Sequence, residues 1–252
     1  MPPVHVLIAI LLSTLVGVSL GLLGGGGSIL AVPLLVYVAR IDVHVAIGMS
    51  LAIVGATALG GAVVHAREGR VDLKAALLFG VAGMVAAPFG AQASHAVPHR
   101  MLLLLFAALM IVVGGLMLRG RRGGSAGPHP PRRLAILGAG LGVGALTGFL
   151  GVGGGFLIVP ALTLLAGLPI HTAVGTSLLV IAMNATAGLA GHLRQGEIPL
   201  GLTAVFTAAS LLGATFGGQM AERFEPVRLR RAFAVFVILV GVALLAANAG
   251  PA

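Results

Sequence analysis

The chain has no cysteine, no tryptophan, one tyrosine and only six acidic residues in 252 positions. Without cysteine, disulfides, thiolate metal sites and cysteine nucleophiles are excluded. Charged residues make up 8% of the chain, against about 25% in a typical soluble domain, too few to cover a water-facing surface. Aromatic residues stand at 4%, which leaves little to stack on bases, so the formal charge of +9 does not point to nucleic acid. What the sequence has in quantity is apolar length, with 58% hydrophobic residues and a mean hydropathy of +1.13. Its basic residues lie in short runs between apolar segments, the pattern of a membrane protein with positive-inside topology. The opening Met1-Pro2-Pro3-Val4-His5 lacks the Lys/Arg of a signal-peptide n-region, so the first apolar run is expected to be a retained span.

A spanning helix needs about 20 apolar residues. Val4–Leu23, His44–Val64, Leu73–Ala93, Met101–Leu118, Leu134–Leu150, Ile170–Ala190, Pro199–Met220 and Ala232–Ala247 read as spans. Ser28–Ala39 and Gly155–Ala166 are apolar but too short, and read as half-helices. The expectation is an all-α polytopic membrane protein with about eight transmembrane helices plus two half-helices. His65–Arg70, His192–Glu197 and the charged run Glu222–Arg231 read as turns. The segment 119–133 is hydrophilic, rich in Gly and Pro, and carries five arginines, which marks a flexible cytoplasmic linker. It divides the chain into a first transmembrane repeat at 1–118 and a second at 134–252.

The two halves are a duplication. An offset of 127 positions aligns Gly21–Gln92 with Gly148–Gln219 without a gap, and roughly a third of the positions are identical. Matches include His44/His171, Ser50/Ser177, His65/His192, Phe89/Phe216 and Gln92/Gln219. A cytoplasmic linker puts loop 65–74 inside, while the arginines of loop 222–231 place that loop inside and loop 192–198 outside. Repeat-related loops then lie on opposite sides, which is inverted topology.

Each half carries a glycine cluster and a proline within apolar sequence, at Gly24-Gly25-Gly26-Gly27 with Pro33 and at Gly151-Val152-Gly153-Gly154-Gly155 with Pro160. Breaking a helix at membrane depth frees backbone groups, each costing several kcal/mol unless protein or a wet cavity satisfies it. Paired breaks in matching positions point to a binding site. Neither cluster is followed by Lys-Ser or Lys-Thr, so no P-loop is present. A glycine-rich break opens a helix N-terminus, whose free amides and dipole favour an anion. Close helix packing is the simpler role for isolated glycines. Ser28 follows the first break, where its hydroxyl can cap the half-helix or touch a ligand. Pro33 and Pro160 each free a carbonyl in the half-helix.

Ser50, Thr176, Ser177 and Asn184 are polar positions in the following helices; Ser177 and Asn184 share a face, as do Ser50 and Thr57. They either bond between helices or line a pathway. Gln92 and Gln219 follow Phe-Gly-x near helix ends, where interhelical bonding competes with substrate contact. The histidines lack zinc-site spacing, so no metal is expected and no cofactor is implied. No charged residue lies well inside a span, which argues against a proton pump or carboxylate-based cation carrier and suits a small anion held by dipoles and neutral donors. A serine hydrolase built on Ser28 is disfavoured, because Ser28 has no repeat counterpart and His44 lies beyond the half-helix and a turn.

The duplicated G-x-x-G-x-G-G-x-x-x-x-x-P pattern, followed by His-x-Ala-x-Gly-x-Ser, resembles the TauE/SafE family of membrane proteins over nearly the whole chain. That resemblance implies a transporter of sulfite or a small organosulfur anion, not an enzyme. Carried over by position, it marks Gly24, Gly26, Gly27, Pro33 and Ser50, and Gly151, Gly153, Gly154, Pro160, Thr176 and Ser177, as site residues. Ser28, Gln92, Gly155, Asn184 and Gln219 join them from the residue reading. Alternating access between two repeats in the inner membrane is the expected mechanism. A passive anion channel or a non-transporting partner subunit is the alternative. The expected partners are a small anionic substrate and the lipid bilayer, with a homo-oligomer left open.

Overall fold

The computed structural model of the chain describes residues 3–94, 97–119, 132–150, 155–192 and 198–248. Every regular element among them is helical: α1 (Pro3–Leu23), α2 (Ser28–Pro33), α3 (Val43–Arg67), α4 (Leu73–Ser94), α5 (His99–Arg119), α6 (Arg132–Leu150), α7 (Gly155–Pro160), α8 (Ile170–His192), α9 (Leu200–Arg223) and α10 (Pro226–Asn248). Six of these (α3, α4, α5, α8, α9 and α10) contain stretches long and apolar enough to cross a membrane. In α1 and α6 the apolar stretches found are the shorter Ile10–Leu23 and Arg133–Thr147. The charged run 222–231 is not one turn: α9 continues through Arg223 and α10 begins at Pro226, so Arg228, Arg230 and Arg231 stand on helix. His65 likewise belongs to α3 rather than to a polar turn, and is buried. Most of the expected linker lies outside the described residues, although Arg119, Arg132 and Arg133 are helical.

The long helices are apolar on all sides, and their outer faces say what surrounds them. Leu73, Leu77, Val81, Val85 and Phe89 of α4, four apart, are all more than half exposed. Spacing of four keeps side chains on one helix face, and a continuous apolar ridge of this kind belongs in lipid.

Inside the bundle, glycines bring backbones into contact. Gly17 lies against the Ser210 carbonyl and Gly21 against Ala214, so numbering rises together and α1 runs parallel to α9. From the other side, Gly213 meets Thr14 and Gly217 meets Val18. The α4–α6 pair is also parallel, with Phe79 against Gly140, Gly83 against Gly144, and Gly90 against Ala145. A side chain at any of these glycines except Gly83 would drive into the partner's backbone, the small-residue packing that membrane helices use in place of a hydrophobic driving force. By contrast α3 and α8 run antiparallel, with Leu51 near Gly188, Gly55 near Ala185 and Gly61 near Leu178. So do α5 and α10, where Gly114 faces Ala234 and Ile238, and Gly241 faces Ala107 and Ile111.

The short segments have the expected broken character. Gly24 ends α1 at φ 71°, a left-handed conformation that glycine adopts without strain. A single 3-10 turn, Gly25–Gly27, leads into α2. Gly27 packs on Val16 and Leu20, so the chain doubles back along α1. After Pro33 the helix widens into a π-turn, Leu34–Val38, closed by the Ala39 amide on the Leu34 carbonyl at 3.1 Å. After Pro160 the same occurs at Ala161–Leu165, closed by Ala166 on Ala161 at 3.1 Å. Proline has no N–H to give the preceding turn. The wider turn that follows gives the nearby carbonyls new donors, as in the bond from Ile41 to Leu35 (3.0 Å) and from Leu168 to Leu162 (2.9 Å). Arg40 (φ 53°) and Gly167 (φ 66°) then turn the chain into α3 and α8.

Candidate functional site

The two half-helices begin at one place in the middle of the bundle. Gly25 lies against the Gly155 carbonyl, and a Cβ built on Gly155 would stand 2.5 Å from Ser28 Oγ and 3.3 Å from the end of Ile181. A Cβ on Gly24 would stand 2.6 Å from Ser177 Oγ and 3.0 Å from a Val159 methyl. The first break thus touches α7 and α8 of the other half, where glycine and hydroxyl groups meet beside the apolar ends of Val159 and Ile181. Phe106 of α5 meets Phe156 edge-on at 5.2 Å and holds α7, which is buried throughout its length. Amides at the start of a helix lack intrahelical acceptors. Here two such starts converge where no carboxylate or amine stands among the described contacts.

Of the expected site residues, the structure brings together Gly24, Ser28, Gly155 and Ser177. Gly26 and Gly27 lie in the 3-10 turn, Pro33 closes α2 and buried Pro160 closes α7. Gly151, Gly153 and Gly154 lie outside the described residues. Ser28 makes no side-chain cap; its hydroxyl donates to the Gly25 carbonyl at 2.7 Å. Buried Ser50 and Ser177 also donate within their own helices, to Ile47 (2.8 Å) and Val174 (2.7 Å), and so offer any ligand only oxygen lone pairs. Thr176 accepts the Asp72 amide at 3.0 Å, tying α8 to the turn before α4, whose first turn Asp72 caps through the Ala75 amide at 2.9 Å. Gln92 and Gln219 are exposed, away from this buried seam.

Asn184 behaves differently. Its Oδ1 is buried and has no hydrogen-bond partner among the described residues, and the same holds for Thr57 Oγ1. Both stand at the level where α3 and α8 cross through Gly55 and Ala185. Unpaired buried polar groups cost roughly 1–3 kcal/mol each, so two at one crossing are candidates for a functional role. Thr57 is not among the expected site residues; its seven-residue spacing from Ser50 is the signal in the sequence that puts it on the same helix face. A further orphan, Ser210 Oγ, lines a pocket with Ser13, Ala31, Leu34 and Ile53. That pocket has space for about one water molecule.

Among the described residues, six helices long and apolar enough to cross a membrane, with lipid-type outer faces, define a multi-pass helical membrane protein. The family model described as "Sulfite exporter TauE/SafE" matches residues 9–244, and the chain belongs to this family of membrane transporters. A "probable membrane transporter protein" of Xylella fastidiosa is 36% identical over 238 residues, covering 90% of each chain. The "probable membrane transporter protein YdhB" of Bacillus subtilis is 29% identical over 245 residues, covering 95% of this chain and 100% of its own. No solved structure gives a significant match. Transport is not catalysis of a covalent reaction, and the family assignment is to transporters rather than enzymes.

Proposed function

We propose that this protein carries a small anion, sulfite or a small organosulfur anion, across the plasma membrane by alternating access between two inverted repeats. The observation that carries the site is the meeting of Gly24, Gly25 and Ser28 with Gly155 and Ser177. Glycines let a ligand approach the backbone, the converging half-helix starts favour negative charge, and the Ser28 and Ser177 hydroxyls reach it by turning away from the Gly25 and Val174 carbonyls. Thr57 and Asn184 continue the polar path along the α3–α8 crossing. The substrate class rests on the family's description and on the lack of buried charge near the break.

The inverted arrangement is supported by direction and register. The 127-residue offset carries α3 onto α8 and α5 onto α10, and each of these pairs is antiparallel, as a two-fold axis in the membrane plane requires. The contacts of Gly114 with Ala234 and Ile238 become, under the same offset, those of Gly241 with Ala107 and Ile111. With repeats at 1–118 and 134–252 and the linker 119–133 in the cytoplasm, one repeat rocks on the other around the fixed break.

Purified protein in proteoliposomes tests this reading. Saturable sulfite flux that an opposing anion gradient accelerates is expected, whereas non-saturating flux indicates a channel. Gly24→Ala places a methyl against Ser177 at a left-handed φ, and is expected to lower flux at least tenfold. Flux unchanged in that variant removes the break from the mechanism.

A further inference from the structure

We infer that the end of the bundle where α5 finishes and α10 begins is a binding site for the phosphate headgroup of an anionic phospholipid. Its elements are fixed by the antiparallel α5–α10 contact. Gly114 faces Ala234; about five residues further along α5 stands Arg119, and four residues back along α10 stands Arg230, which places them at one level within roughly 2 Å. Arg228 and Arg231 flank Arg230, and Arg223 ends the preceding helix. Four of these arginines are exposed. Glu225 answers one of them, Arg228, at 3.6 Å.

Arg230 is the informative member. It is half-buried, at the edge of the face of α10 that buries Leu229, Phe233 and Ala234. Its Nε is buried and has no hydrogen-bond partner among the described residues. A guanidinium keeps its charge in any protein setting and presents a planar fork that fits phosphate oxygens. A buried donor of this kind without an acceptor calls for an anion from outside the chain. Toward the membrane interior the same two helices expose Leu116, Val235 and Leu239, an apolar surface for acyl chains directly beyond the basic end. Charge above and hydrocarbon below fit a phospholipid rather than a soluble phosphate. The substrate site at the glycine break is a separate place, and lipid occupancy is read without any transport measurement.

The experiment reconstitutes the full chain in phosphatidylcholine nanodiscs with increasing phosphatidylglycerol, with lipid retention read by native mass spectrometry and unfolding followed by temperature. Phosphatidylglycerol is expected to be retained over phosphatidylcholine and to raise the melting temperature. The pair Arg119→Gln and Arg230→Gln is expected to weaken retention roughly tenfold, while Arg67→Gln, on α3, leaves it unchanged. If Arg230→Gln fails to fold, Arg230→Lys and Arg119→Gln alone give the same reading, with intermediate losses. Equal retention in these variants and in the parent overturns the site, as does stabilisation by soluble glycerol phosphate equal to that by the lipid.

Discussion

Thr57 and Asn184 occupy equivalent positions in the two halves, and each keeps a buried oxygen unpaired. A threonine kept for stability would have found an acceptor one turn back, as Thr186 and Thr207 do in their own helices. Thr57→Val keeps the shape and removes the orphan hydroxyl. Thermal unfolding in detergent is expected to show equal or higher stability, by about 1 kcal/mol, while sulfite flux falls several-fold. A variant both stable and fully active would make Thr57 a packing residue. Ser177 is expected to interact with Gly24. The methyl of Gly24→Ala should cost about 2 kcal/mol from overpacking and φ strain. Adding Ser177→Gly should recover the steric part, which a double-mutant cycle on stability measures. At this scale the sequence marked the glycines, prolines and serines, because composition exposes what is unusual in an apolar chain. It could not tell which hydroxyls bond to their own helix, since Ser50 and Ser177 have the same spacing from other polar groups as Thr57 and Asn184.

Each helix of the parallel pairs is selected by glycine rather than by side-chain interdigitation. Gly217 sits on the backbone of Val18, and Gly90, at the corresponding place, sits on Ala145. Gly217→Ala and Gly90→Ala are each expected to destabilise by about 3 kcal/mol, seen as a lower midpoint in thermal unfolding. Leu212→Ala, on the exposed face of α9, is expected to leave the midpoint nearly unchanged. Helix positions were legible to within a few residues for the long helices, since length and hydropathy decide them. The π-turns were not. Proline announced a lost bond, but the wider turn that replaces it depends on donors at Ala39 and Ile41 that no local pattern identifies. The run 222–231 is not one turn because arginines are good helix formers, so Phe224 and Glu225 suffice for the turn between α9 and α10.

The molecule as a whole is organised by direction. Arg67 ends α3 and Arg70 follows it; the same helix carries His65, which lies 3.9 Å from a Cβ built on Gly218 near the end of α9. The α9 end leads through Phe224 into α10, which starts beside the end of α5. The arginines of four helix ends therefore share one face of the bundle, the arrangement that the positive-inside rule places in the cytoplasm. The absence of native cysteine makes this directly testable. Gly69→Cys and Glu225→Cys are expected to react with an impermeant maleimide only from the cytoplasmic side, and Arg40→Cys only from outside. Labelling of positions 69 and 225 from opposite sides would favour parallel repeats. The 127-residue offset argues for a duplication, but sequence identity carries no direction, and only the loop charges speak for inversion.

The parallel pairing of α1 with α9 has a consequence for how the chain is made. About 180 residues separate the end of α1 from the start of α9, so at 5–20 residues per second the first helix waits roughly 10–35 s for its neighbour to be synthesised. During that interval the glycine face of α1 lacks α9, and for most of it the first glycine break lacks Gly155 and Ser177, which precede α9 in the chain. The nascent first half is therefore an open structure in the membrane, and the final helices complete a seam left unfinished at the start. Synthesis of α7 and α8, rather than insertion of α1, decides when the two parts of the candidate site can meet.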